Sequence, residues 1–171
     1  MATSTKFICG NGTTMGGIVI DCGNFDFLKD GRFPSMSQPN KSYNNIKFSE
    51  TFGDFGFAMK AKVDTLRDLG CSLSPQNAFY ILNGVETLSL RMKEHNKNAM
   101  LVAEFLNQHP KISHVSYAGL KKSKYYKLSK KYFPNGPGSI FTIRLKKGYN
   151  ACVSLVEKVT MLSHVANIGD T

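Results

Sequence analysis

Residues 3–17, on either side of Lys6, read TSTKFICGNGTTMGG. Hydroxyl side chains flank a single lysine, and a glycine-rich turn leads into an apolar, β-branched run that ends at Cys22. A lysine amine can form an imine with a carbonyl cofactor, and neighbouring hydroxyls can hydrogen-bond a cofactor phosphate. The same pattern also fits an ordinary surface lysine, so the residues alone leave both interpretations open.

The segments after this stretch carry strand and helix patterns in turn. Residues 16–22 are apolar and bounded by glycines, which predicts a buried strand. Residues 31–45 contain prolines and asparagines and predict an irregular connection. Residues 55–69, which contain no proline, predict a helix, and Gly70 stands where a left-handed glycine would end it.

The second half of the chain continues this alternation. Ser74 and Pro75 predict an N-cap followed by proline at the first helical position. Apolar residues at helical spacing predict a long amphipathic helix over residues 85–107. The remaining apolar patterns predict strands over residues 112–117, 139–145 and 164–168, and a helix over residues 150–162. The predicted fold class is therefore α/β.

The composition indicates a soluble globular chain whose 171 residues can bury one sizeable core. No apolar run approaches the ~18 residues that span a bilayer, and the N-terminus lacks the features of a signal peptide. We therefore expect a cytoplasmic protein with no membrane partner. The four cysteines form no C-x-x-C pair and the histidines no H-E-x-x-H motif, so no metal site is predicted.

The net charge of +10 is concentrated in residues 121–131, which read KKSKYYKLSKK. Lysines interleaved with aromatic residues can contact a phosphate backbone. No arginine cluster for base readout and no known nucleic-acid module accompanies them. We therefore interpret the run as a solvated helix face, with nucleic acid disfavoured as a partner. A basic-surface binding module remains a weaker hypothesis.

Residues 3–17 resemble the S-A-T-K-[YF]-I-x-G-H-G-T-T-x-G-G segment of pyridoxal-phosphate (PLP) enzymes of Cys/Met metabolism, above all the O-acetylhomoserine sulfhydrylases and their cystathionine γ-synthase relatives. Lys6 falls on the family's Schiff-base lysine. Thr3 and Thr5 fall on the hydroxyl positions that contact the cofactor phosphate. Thr3 replaces the family's usual serine, and Asn11 its usual histidine.

Further motifs of the same family occur in order along the chain. They are RFPSMSQP (residues 32–39), LRDLG (66–70), GVETLSLR (84–91), VSYAGL (115–120), KYFPNG (131–136) and VANIGD (165–170). In the family, the residue at the position of Asn167 lies near the substrate carboxylate, so the resemblance implies Asn167 as a substrate-binding residue. Glu86, Thr87 and Arg91 are interpreted as scaffold rather than as substrate contacts.

The resemblance implies a partial PLP-dependent transferase fold of type I, the aspartate-aminotransferase-like fold. Residues 1–84 are then a remnant of the large PLP-binding domain, residues 85–110 a connecting helix, and residues 111–171 a truncated C-terminal α/β domain. The family's phosphate loop, ring-stacking tyrosine and pyridinium-binding aspartate lie upstream of the lysine, and its carboxylate-binding arginine lies downstream of Thr171. The sequence is therefore expected to be a central-to-late fragment.

The function that the resemblance implies is γ-replacement with PLP as cofactor, in which O-acetylhomoserine and sulfide give homocysteine and acetate. Lys6 would serve as acid, base and imine anchor. The implied partners are an amino-acid substrate, sulfide or a thiol, and either a second copy of the chain or a full-length homologue. The alternative hypothesis is a catalytically inactive truncated homologue that acts only as an interaction partner or has no function.

Overall fold

The computed structural model describes residues 1–169 and, apart from that of residue 30, their side chains. The chain forms two compact units. The first contains residues 1–5 and 14–81, and the second contains residues 6–13 and the chain from Leu82 onward. The lysine-bearing segment thus belongs to the second unit, while the threonines before it belong to the first.

The first unit combines a small two-stranded sheet with a series of short helices. Strands β1 (Ala2–Thr3) and β2 (Gly17–Ile18) are antiparallel. The helices are α1 (Pro34–Ser37), α2 (Phe48–Phe52), α3 (Gly56–Lys60), a π-helix (Ala61–Leu66) and α4 (Arg67–Leu69), with 3-10 helices at Lys29–Gly31, Lys41–Tyr43 and Gly53–Phe55. Phe48 is fully buried and stacks on Phe52 at 6.0 Å between ring centroids, so aromatic packing forms this core.

Helix α5 (Pro75–Glu86) begins in the first unit and ends in the second. The second unit continues with α6 (Leu88–Gln108), β3 (Ile112–Ser116), α7 (Tyr126–Tyr132), β4 (Thr142–Leu145) and α8 (Gly148–Lys158). Strands β3 and β4 are antiparallel. Ala99 and Ala103 are buried on one face of α6, where their small side chains let the helix approach Val115 of β3 closely.

Tyr117 completes the core of the second unit. Its ring packs edge-on against Phe141, and its hydroxyl donates a hydrogen bond to the Gly138 carbonyl at 2.7 Å. Burial raises the pKa of Tyr117 above its ordinary value.

Several predicted elements are present. The helix predicted for residues 55–69 occurs as three consecutive helical segments, and Gly70 ends it with a φ of 70°. Ser74 caps α5, because its hydroxyl accepts from the Asn77 amide at 3.1 Å. The long helix predicted for residues 85–107 is α6.

Three predictions about local structure were wrong. The buried strand predicted for residues 16–22 is only β2, and Ile20 beyond it is 75% exposed. Residues 164–168 are irregular, with bends at Val165 and Ala166, and form no strand. Both errors have the same cause, because a strand forms only where a neighbouring strand provides hydrogen bonds. Strand β2 pairs only with the two residues of β1, and residues 164–168 pair with no strand that the structure describes.

The third error concerns the basic run. Helix α7 includes only its second half, and residues 121–125 form turns instead. The Tyr125 amide donates to the Ser123 hydroxyl at 3.3 Å, and such local side-chain bonds compete with helix formation.

Candidate functional site

Lys6 stands on a tight turn in the second unit. The Gly10 amide donates to the Lys6 carbonyl at 2.8 Å, and Gly10 closes the turn with a φ of 74°. Cys9 is fully buried, whereas Lys6 is half-buried. The lysine is therefore held by an ordered backbone and still keeps part of its side chain accessible.

The Lys6 amine donates a hydrogen bond to the Asn167 side-chain oxygen. The two residues are 161 positions apart in sequence and lie in the same unit. The structure thus brings together the predicted catalytic residue and the predicted substrate-binding residue. Asp170, the last residue of the motif that contains Asn167, lies outside the described residues.

The two predicted phosphate-binding threonines differ in what their hydroxyls do. Thr5 Oγ1 lies 3.2 Å from the Gly16 carbonyl, to which it donates, and accepts from the Gly16 amide at 3.1 Å. A hydroxyl has one proton, so Thr5 must release the Gly16 carbonyl before it can donate to a phosphate. Thr3 is exposed on β1, and within residues 1–169 its hydroxyl makes no hydrogen bond.

Ser4, between these threonines, has a buried hydroxyl without a partner among the described residues. Its backbone amide donates to the Gly16 carbonyl at 2.9 Å, which joins the end of β1 to the residue before β2. An unsatisfied buried hydroxyl costs about 1–3 kcal/mol. The sequence contains no signal for this defect, because it depends on the three-dimensional surroundings of Ser4.

Arg91 is the contact that the sequence analysis missed. It lies on α6, and its guanidinium donates to the Phe7 carbonyl at 2.7 Å and to the Ile8 carbonyl at 3.3 Å. Gly84 of α5 lies against the backbone of Cys9, where a side-chain carbon would overlap the Cys9 carbonyl. The family motif of residues 84–91 marks Arg91 as a scaffold residue, but it does not identify Phe7 and Ile8 as the residues that Arg91 contacts.

The basic run lines a separate surface cavity of about 860 Å³ in the second unit. Lys121, Lys122, Lys124 and Lys130 contribute to it, together with Glu104. Neither Lys6 nor Asn167 is among its lining residues, so this charge is not part of the lysine site.

Two kinds of site find no support in residues 1–169. No helix in this range has the length and apolarity that crossing a bilayer requires. No group of three or more His, Cys, Asp and Glu side chains in the described structure is arranged to hold a metal ion.

Comparison with known proteins identifies a single family along the whole chain. The profile of the family described as "Cys/Met metabolism PLP-dependent enzyme" matches residues 1–171. The chain is 41% identical over 169 residues to a homocysteine synthase of Schizosaccharomyces pombe, covering 98% of this chain and 39% of that protein. It is 45% identical over 175 residues to an O-acetyl-L-homoserine sulfhydrylase of Leptospira meyeri, covering 97% and 39%.

A solved structure agrees with these relatives. It is a protein of Campylobacter jejuni named O-acetylhomoserine (thiol)-lyase, and it contains N'-pyridoxyl-lysine-5'-monophosphate. Its TM-score is 0.81 at 34% identity, over 98% of this chain and 42% of that one. The chain thus spans about two fifths of the length of the relatives it matches, and the predicted partial PLP-dependent transferase fold is confirmed. The chain belongs to the Cys/Met metabolism PLP-dependent enzyme family.

Proposed function

We propose that this chain carries the reactive lysine of a PLP-dependent enzyme that converts O-acetylhomoserine and sulfide into homocysteine and acetate, a reaction of methionine biosynthesis. The observation that carries the proposal is the hydrogen bond between Lys6 and Asn167, which joins two family motifs from opposite ends of the sequence. Relatives named as sulfhydrylases, 38–45% identical over nearly all of the chain, support the choice of reaction.

The residues around Lys6 fit this cofactor. Lys6 is half-buried on an ordered turn, and the hydrogen bond from its amine to Asn167 fixes the direction of the side chain. Thr3 offers a hydroxyl proton that no described residue uses, and Thr5 offers a second once it leaves Gly16. We therefore infer that the amine of Lys6 would bond to the cofactor's carbonyl carbon and that the hydroxyls of Thr3 and Thr5 would donate hydrogen bonds to its phosphate.

When bound, PLP supplies an electron sink that makes the bonds at the substrate's Cα easier to break. Lys6 supplies the movable protons: its amine removes and returns them at Cα and Cβ while acetate leaves from Cγ and sulfide adds there. Asn167 holds the amine in place through its side-chain oxygen. An amide also donates through its nitrogen, so the same side chain can bind a substrate carboxylate.

Three further predictions belong to this proposal and stay predictions. They are the division into a PLP-domain remnant (1–84), a connecting helix (85–110) and a C-terminal domain (111–171), the assembly with a second copy or a full-length homologue, and the cytoplasmic location. The alternative of an inactive homologue that serves only as a partner is separated from the proposal by experiment.

The test is the visible absorbance of the purified chain after addition of PLP. We expect a new band with the unmodified chain, loss of the band with Lys6→Ala, and a band of full strength with Lys127→Ala. Lys127 is a suitable control because it is exposed and lies in the basic run. The proposal is contradicted if the band is absent at saturating PLP or if it survives in Lys6→Ala. A separate assay of sulfide-dependent homocysteine release decides whether the chain is catalytically inactive.

A further inference from the structure

The side chain of Arg91 is almost fully used in holding backbone. Its Nε donates to the Thr87 hydroxyl at 3.0 Å, one terminal nitrogen donates to the Phe7 carbonyl at 2.7 Å, and the other donates to the carbonyls of Ile8 at 3.3 Å and Gly84 at 2.7 Å. Four of the five guanidinium N–H donors therefore have acceptors.

These acceptors come from two segments that end near each other. Phe7 and Ile8 follow Lys6 in the turn that Gly10 closes, and their carbonyls point out of it toward Arg91. Gly84 lies in the last turn of α5, where backbone carbonyls lack partners within the helix. The Arg91 guanidinium thus donates hydrogen bonds both to a carbonyl at the end of α5 and to two carbonyls of the turn that contains Lys6.

Among the described residues, no carboxylate forms an ion pair with this guanidinium. Its charge is therefore balanced by carbonyl dipoles. Hydrogen bonds from a charged donor are about twice as strong as neutral ones. The Lys6 turn therefore depends on Arg91 more than on any neutral contact of similar length.

The packing leaves no room for a looser arrangement. A side-chain carbon at Gly10 would overlap the guanidinium of Arg91, and one at Gly169 would come within 2.6 Å of the Phe7 ring. Phe7 also packs edge-on against His95 of α6, with 5.4 Å between ring centroids. The turn is thus held from several directions by parts of the second unit.

We propose that Arg91 is a positioning residue for Lys6: it fixes the turn from which the amine projects, and so sets where that amine meets a carbonyl. This inference rests on the proposed role of Lys6. Arginine suits the task and lysine does not, because a planar fork reaches several carbonyls at once whereas an ammonium group is a point charge on a flexible chain.

The first measurement is amide hydrogen exchange of the full chain, which needs no cofactor. We compare Arg91→Lys with Arg144→Lys, since Arg144 is exposed in the same unit and its side chain makes no hydrogen bond within the described residues. In Arg91→Lys, exchange over residues 7–13 should rise by at least about tenfold, while the core around Ala103 and Val115 stays protected. Arg144→Lys should change neither.

The second measurement is the rate at which PLP labels Lys6 under borohydride, as determined by peptide mass. Arg91→Lys should lower this rate by about tenfold, as expected when a reacting group loses its fixed orientation. Thr87→Val removes the acceptor of the Arg91 Nε and the hydroxyl that donates to the Gly84 carbonyl at 3.4 Å, but it keeps the bonds from Arg91 to Phe7 and Ile8, so it should lower the rate in the same direction by a smaller factor.

Each outcome decides the proposal. It is overturned if exchange over residues 7–13 stays at the wild-type level, or if exchange rises equally across the whole second unit, which indicates a purely structural role. If Arg91→Lys does not fold, Thr87→Val decides by the same two criteria. If the unmodified chain is not labelled at Lys6 while the local exchange effect is present, positioning by Arg91 is supported and the proposed function is wrong.

Discussion

Replacing Gly84 by alanine should destabilise the chain, although alanine is the better helix former. Gly84 is buried in α5, and at an ordinary helical position Gly→Ala stabilises by about 1 kcal/mol. Here the added carbon would lie 2.6 Å from the Cys9 carbonyl carbon and 2.7 Å from the Cys9 Cα. Ordinary contacts begin at 3.4 Å, and the Cys9 carbonyl oxygen lies closer still, so α5 and the lysine turn must separate by more than the roughly 0.8 Å that the carbonyl carbon alone requires.

The magnitude follows from these two opposing effects. Overpacking costs about 1–3 kcal/mol, and an overlap with a backbone carbonyl that cannot rotate away falls in the upper part of this range, at about 2–3 kcal/mol; the helix-propensity gain offsets about 1 kcal/mol of it. We expect a net loss near 1–2 kcal/mol, or a melting temperature lower by about 2–8 °C for a chain of this size. Because the strain falls on Cys9, labelling of Lys6 by PLP should also slow.

The assay is urea unfolding followed by circular dichroism, with Asn83→Ala as the matched control. Asn83 is the exposed neighbour of Gly84 in α5, so its replacement should stabilise by about 0.5 kcal/mol through propensity alone. If Gly84→Ala is stabilised as much as, or more than, Asn83→Ala, then α5 does not lie against the Cys9 carbonyl and the expected steric clash is refuted.

Three other predictions follow from particular side chains. Ser4→Ala should raise the free energy of unfolding by about 0.5–1 kcal/mol because it removes an unpartnered buried hydroxyl, and a loss of stability in urea would show that Ser4 has a partner after all. Tyr117→Phe should cost about 1 kcal/mol through its lost bond to Gly138. Burial raises the pKa of Tyr117 in the folded chain, so the unfolded tyrosine ionises first and wild-type stability should fall as pH rises above about 10; an equal fall in Tyr117→Phe would exclude this cause. Thr3→Val should weaken PLP binding about fivefold or more in an absorbance titration, and an unchanged affinity would remove Thr3 from the phosphate site.

The sequence predicted best those elements whose signals are local. Helix α6 was predicted from apolar spacing, and the cap of α5 from Ser74 before Pro75. Gly70 was predicted as a left-handed helix end and adopts that conformation. In each case the determining residues lie within a few positions of the structure that they specify.

The predictions that failed depended on partners distant in sequence. Residues 16–22 have the composition of a buried strand, but composition cannot supply the neighbouring strand that would bury them. The role of Arg91 depends on carbonyls more than 80 positions earlier, and carbonyls are present in every residue. Lys6 and Asn167 were each identified through family motifs, whereas the hydrogen bond between them came only from the structure.

The central claim is tested most directly by locating the lysine that reacts with PLP. The purified chain is incubated with PLP, reduced with borohydride, digested, and its peptides are analysed by mass spectrometry. We expect a pyridoxyl group on the peptide that contains Lys6, at a level well above that of the exposed lysines of residues 121–131. A label that is absent from Lys6, or spread evenly over those surface lysines, would contradict this claim.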